Sequence, residues 1–203
     1  MMQLPLAKPG ATAPKLQLSL NKGAIFTVEL AWDSTHDLDA HALLATNAGG
    51  GAKVDSFDKV LSTYNAKKTN PAGVLIDNPD GSWSTPCRAL THSGDKRDGT
   101  KQGIDEIITI DGSKVADGIN EIPIFITIHP GNDVKFAEVK TASITIKDSA
   151  GQVLGAYELT REFGGFNAVQ MGSVLRGPNG WEFAAVGTGF IGDFNTVLGH
   201  FSN

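Results

Sequence analysis

A chain of 203 residues with a formal charge of −5 and a pI near 5.5 has no basic surplus, which speaks against a nucleic-acid partner. No apolar run approaches the roughly 20 residues that span a bilayer, and MMQLPLAKPGATAPKL lacks the pattern of a signal peptide. The expectation is a soluble, cytoplasmic protein. The lone Cys87 has no partner within the chain, so the core must stand without disulfides, and Cys87 reads as a small apolar residue rather than a nucleophile.

Residues 1–14, with three prolines and a glycine, read as a flexible arm. Leu16, Leu18 and Leu20 then alternate with polar residues, the period of a half-buried strand, and Asn21-Lys22-Gly23 makes a turn. Phe26, Val28, Leu30 and Trp32 share the face of a second strand that delivers Asp33 to its exit. Leu38 to Leu44 continues as a strand on which Asp37 and Asp39 point the same way. Between Asp55 and Leu90 three turn signals (Asn70-Pro71, Asn78-Pro79, Asp80-Gly81) imply a long connection holding a short hairpin.

The stretch from His92 to Glu106 is too polar and glycine-rich to be core, and it runs into the strand-like Ile107–Ile110. One short helical turn is expected in SKVADGINE. Ile122, Ile124, Ile126 and Ile128 give the clearest strand alternation, with Pro123 pointing to an edge or a strand start. Two hairpins follow, around 148–151 and 177–180, and Phe194 to Phe201 suits a short helix. Strand after strand with glycine-rich turns predicts an all-β sandwich of two mainly antiparallel sheets with short helical turns, as one domain over 15–203.

Two acidic knots carry the chemistry. Asp33, Asp37 and Asp39 form one; Asp95, Asp98, Asp105 and Glu106 form the other, with Gly94, Gly99 and Gly103 letting its loop turn back. Hard oxygen ligands on a sharply turning loop suit calcium, which takes about six to eight oxygens at about 2.3–2.6 Å. The expected ligands are Asp33, Asp37, Asp39, Asp95, Asp105 and Glu106, with His92 buttressing the loop by hydrogen bonding. Neither knot has the EF-hand spacing. His36 and His41 read as surface histidines, and His129 as structural. GTGFIG at 187–192 lacks the following helix and strand of a dinucleotide site. No nucleophile elbow, P-loop or zinc-protease motif is present, so no enzyme is expected. Carbohydrate binding has Trp83 as its one exposed-aromatic candidate, Trp32 and Trp181 falling in core alternation.

An ordered set of motifs resembles the TerD family of bacterial tellurium-resistance and stress-response proteins. Its residues are Leu18-x-Leu20-x-Lys22-Gly23, Trp32-Asp33 with Asp37-Leu38-Asp39-Ala40, His92-Ser93-Gly94-Asp95 with Asp105-Glu106, Ile126-Thr127-Ile128-His129, and the closing Gly172, Leu175-Arg176, Gly180-Trp181, Phe183, Ala185, Gly187 and Gly189. The resemblance implies a calcium-binding β-sandwich that acts as a non-enzymatic scaffold and associates with other Ter-type proteins or itself, peripheral to the inner membrane. This chain departs from the pattern in Lys96, Arg97, Lys101, Gln102 and Ile104, and in a longer 57–91 segment. A metal-free assembly protein, in which Arg97 or Lys101 pairs with Asp95 or Asp105 in place of the ion, is the alternative.

Overall fold

The structure, a computed structural model, describes residues 15–97, 99, 103–129, 134–159 and 163–202. The arm expected at 1–14 lies outside them, as do Asp98, Lys101 and Gln102. Strands are numbered along the chain. One sheet runs β1 (Lys15–Leu20), β15 (Gly180–Ala184), β14 (Ala168–Gly177), β11 (Glu121–Ile128), β3 (Leu38–Leu43), β6 (Val60–Leu61), with β16 (Thr188–Phe190) also on β14. The other runs β13 (Val153–Glu158), β12 (Thr141–Asp148), β2 (Ile25–Asp33), β10 (Glu106–Asp111), β9 (Leu90–His92), β8 (Trp83–Ser84), β7 (Ile76–Asp77). The ladders of both sheets are antiparallel. A small hairpin, β4 (Thr46–Asn47) with β5 (Ala52–Lys53), and one helix, α1 (Phe194–Phe201), complete the regular elements. The all-β sandwich expected from the strand periodicity is what the chain forms.

Alternation builds the inter-sheet core. Phe26, Val28, Leu30 and Trp32 of β2 point inward with Ile144 and Ile146 of β12, against Ile122, Ile124, Ile126 and Ile128 of β11. Each such side chain is worth roughly 1.5–3 kcal/mol relative to exposure, so these rows fix the register. The other face of β11 is buried too, because α1 lays Phe194, Val197, Leu198 and Phe201 over Phe125, Leu43 and Ala168. Asp193 caps that helix, its carboxylate accepting from Thr196 N.

That double burial corrects the reading of Pro123 as an edge residue, since β11 lies between β14 and β3. The ladder to β3 starts at Ile124↔Ala42 and resumes only at the bridge Ala45↔Glu121. Pro123, with no N–H to give, sits in that gap.

The long 57–91 segment folds into two 3-10 turns, Phe57–Lys59 and Thr63–Asn65, and the β7–β8 hairpin, which widens the second sheet from β9. Three sequence expectations fail here and nearby. Trp83 is buried, its ring stacked on His92 with centroids 4.9 Å apart. His41 is fully buried rather than at the surface, and Cys87 is exposed rather than packed. Among the described residues, no helix is long and apolar enough to cross a membrane.

Candidate metal centre

Antiparallel pairing brings both acidic segments to one end of the sandwich. The loop from Asp33 to Leu38 joins β2 to β3 and the one from His92 to Glu106 joins β9 to β10, and β10 pairs Glu106 with Leu30 and Ile108 with His92. The two loops are stitched by Gly99 N donating to Ser34 O at 3.0 Å. Trp32 joins them as well: its backbone N–H donates to Asp105 Oδ2 at 2.9 Å and its indole N–H to His36 O at 3.1 Å. The glycines serve the turn as expected: Gly94 and Gly103 have φ of 116° and 141°. Gly99 is required by space, since a Cβ there would lie 2.3 Å from Trp32 Cδ1.

Asp37, Asp39 and Asp95 converge, each offering a carboxylate oxygen within 4.8 Å of the others. Glu106 stands beside them, close enough for its charge to act on Asp39. The reason lies in β3. There β6 pairs only with Ala42 and Leu43, and among the described residues the Ala40 N–H goes instead to Glu106 Oε2 at 2.7 Å. His92 Nε2 is 3.3 Å from the same oxygen but out of line for a hydrogen bond. Its other nitrogen, Nδ1, accepts from Gly94 N at 3.2 Å, the buttress expected of it.

Each of these four carboxylates keeps one buried oxygen with no hydrogen-bond partner among the described residues: Asp37 Oδ1, Asp39 Oδ1, Asp95 Oδ1 and Glu106 Oε1. A buried, unpaired carboxylate oxygen is costly, and four of them together point to a missing positive partner. Burial first, then the charges of Asp39 and Asp95, pushes Asp37 up to about 6. Burial, then Glu106, raises Asp39 to about 6 as well, and Glu106 is raised chiefly by its own burial. The donor set is all hard oxygen, the chemistry calcium or magnesium takes.

Two expected ligands stand apart. Asp33 is turned outward onto Lys140, 3.3 Å away, because it closes an outward-facing position of β2. Asp105 is buried, but Oδ2 holds Trp32 N and Oδ1 lies 3.6 Å from Lys96 Nζ, which also donates to Ile104 O at 2.7 Å. Arg97 rests on Asp95 Oδ2 at 3.4 Å. Sequence reading missed Tyr64 and His129. Tyr64 donates its hydroxyl to Asp39 Oδ2 at 2.9 Å, and His129 Nδ1 lies 3.9 Å from that oxygen and 4.0 Å from Asp37 Oδ2. His129 was visible as the residue closing the Ile-Thr-Ile-His strand; Tyr64 carried no motif.

The TerD domain model matches residues 11–201. The chain belongs to the TerD family. Among characterised relatives of this TerD-family chain, a tellurium resistance protein TerD from Alcaligenes sp is 29% identical, covering 98% of this chain and 97% of that one. A tellurium resistance protein TerD from Serratia marcescens is 30% identical over 86% of this chain and 85% of its own length. Among solved structures, a homologue of telluride resistance protein (TerD) from Streptomyces coelicolor A3(2) superposes with a TM-score of 0.60 at 22% identity, covering 86% of this chain and 95% of that one, which speaks to the fold.

Proposed function

We propose that this TerD-family chain is a non-enzymatic, calcium-binding scaffold of a cytoplasmic stress response. One observation carries the reading: Asp37, Asp39 and Asp95, from two distant segments, bring carboxylate oxygens within 4.8 Å of one another, and each of them, like the neighbouring Glu106, keeps a buried oxygen with no hydrogen-bond partner among the described residues. Empty, they repel one another and hold the two loops apart in energy; a divalent ion relieves the repulsion and orders that end of the sandwich for docking. The tellurium-resistance names of the relatives, and a general stress protein 16U of Bacillus subtilis that is 28% identical, support the stress-response context. The partners in this reading are other Ter-type proteins or a second copy, at the periphery of the inner membrane.

Calorimetric titration with calcium tests it, repeated on Asp39→Asn and Asp95→Asn. Saturable binding lost in both variants is expected, with a melting midpoint that rises about 5–10 °C when calcium is near 100 times Kd. A flat titration, with identical melting in calcium and chelator, overturns it. That outcome favours the metal-free assembly protein, for which Lys96 on Asp105, Arg97 on Asp95 and Lys140 on Asp33 are the supporting contacts.

A further inference from the structure

We infer that Tyr64 sets the ion selectivity of the carboxylate cluster, by reserving one oxygen of Asp39 so that the site tolerates magnesium as well as calcium. The inference rests on the cation-binding reading above.

The division of labour within each carboxylate carries it. Asp39 Oδ2 takes the Tyr64 hydroxyl at 2.9 Å and Glu106 Oε2 takes Ala40 N at 2.7 Å, while Asp95 Oδ2 faces Arg97 Nε at 3.4 Å. The opposite oxygen of each is buried and without a hydrogen-bond partner among the described residues. Asp39 and Glu106 are 1% and 0% exposed, so their remaining oxygens have only the cluster to serve. A carboxylate with one oxygen committed meets an ion through the other alone. Calcium fills a shell of about six to eight oxygens, often with bidentate carboxylates, whereas magnesium wants about six at about 2.0–2.1 Å and keeps several waters. Single oxygens from Asp39 and Asp95, with Asp37 beside them and waters in the remaining positions, complete an octahedron, so the donor set does not penalise the smaller ion.

Tyr64 is held to this task. Its backbone N–H donates to Ser62 Oγ, and its ring lies against Phe194 and His41, with centroids 5.1 and 5.9 Å away. Its single hydroxyl hydrogen goes to Asp39, so the 3.2 Å contact with His129 Nδ1 is one in which His129 donates. The hydroxyl is therefore pinned from both sides.

Separate calorimetric titrations of the full chain with calcium and with magnesium, for wild type, Tyr64→Phe and Arg97→Gln, decide it. Wild type is expected to bind both ions. Tyr64→Phe frees the second oxygen of Asp39, and the ratio of the two dissociation constants should move about tenfold or more toward calcium. Arg97→Gln removes an exposed side chain that the fold does not need, and should move the ratio the same way through Asp95. Loss of a neighbouring charge alone acts on two divalent ions alike, so the ratio isolates the freed oxygen. Wild type that ignores magnesium while binding calcium, or a ratio unmoved in Tyr64→Phe whatever Arg97→Gln does, overturns the inference and leaves the cation reading standing. No binding of either ion to wild type ends both.

Discussion

Tyr64 and Asp39, 25 residues apart, meet through a 2.9 Å hydrogen bond that ties the 3-10 turn at Thr63–Asn65 to the acidic end of β3. The contact joins a segment with no acidic motif to the carboxylate cluster, and it offsets part of the cost of charge there, which burial and Glu106 impose. Asp39 has one oxygen satisfied and the other buried among like charges.

Neutralising that charge should therefore stabilise the empty protein. A rise of the Asp39 pKa from 3.8 to about 6 corresponds to a penalty of about 1–3 kcal/mol on the charged form. Asp39→Asn, melted in chelator, should gain about 2–12 °C while losing its response to calcium. A variant that melts lower than wild type in chelator would contradict the repulsion argument.

Proton and ion should compete for the same oxygens. Asp37 and Asp39 carry folded-state pKa values near 6, above the unfolded 3.8, so the folded protein takes up protons first as pH falls from about 7 to about 4. In chelator these two groups add stability through that window. Calcium must displace those protons, so its stabilising effect, full at pH 7.5, should be largely gone at pH 5. Melting curves with and without calcium across this range measure it, and an effect independent of pH speaks against Asp37 and Asp39 as ligands.

His41 acts in the opposite sense. It is fully buried, and burial holds its pKa well below the usual 6.5, so the unfolded chain binds the proton first. Its contribution is present above pH 6.5 and is lost below it, by about 2 kcal/mol at pH 5. Against wild type in chelator, His41→Gln should show a relative stability that improves by about that amount between pH 7 and pH 5. A constant difference between the two would mean that His41 is not kept neutral by the fold.

Trp83 is a wall of the site, not a sugar platform. Its ring lies nearly parallel to that of His92, 6° apart, and His92 Nδ1 in turn holds Gly94 N beside Asp95. Trp83→Ala should cost about 3–5 kcal/mol and weaken calcium binding through His92, with no effect on any glycan. Unchanged denaturant midpoints would place the ring outside the core.

Gly99 tests the stitching of the two loops. A methyl group there would meet Trp32 Cδ1, Nε1 and backbone O at 2.3, 2.4 and 2.5 Å, so the loop must move. Gly99→Ala should cost about 1–3 kcal/mol and reduce calcium affinity, whereas Gly118→Ala, with open space around its Cβ, should leave affinity unchanged. Equal behaviour of the two variants would show that the Ser34–Gly99 link does not hold the site.

The strands were legible where burial is one-sided. In β2 and β12 apolar residues alternate with polar ones, so period and facing are both read directly. The meeting of Asp37, Asp39 and Asp95 was legible in outline, because paired strands had to bring the two acidic segments to one end. Partners were not legible. Nothing in the residues around Asp33 reveals that Lys140, 107 positions on, draws it out of the cluster, since that depends on β12 lying beside β2. His41 reads as a surface histidine because the helix that buries it lies about 150 residues away in the chain, and such distant packing leaves no local pattern. The 57–91 segment was opaque for a similar reason. Its order comes from side-chain bonds such as Asn65 Nδ2 to Phe57 O and Val60 O, not from periodicity.

The edge of β3 at Ala40 ends on a side chain instead of another strand: Glu106 receives the amide that a further neighbour would have taken. The same carboxylate thus holds the main-chain lattice and stands beside the aspartate cluster, where its charge acts on Asp39. A shift of the Glu106 carboxylate would therefore act directly on the main chain of β3 at Ala40, so a cation bound beside it would be coupled to the β-framework itself.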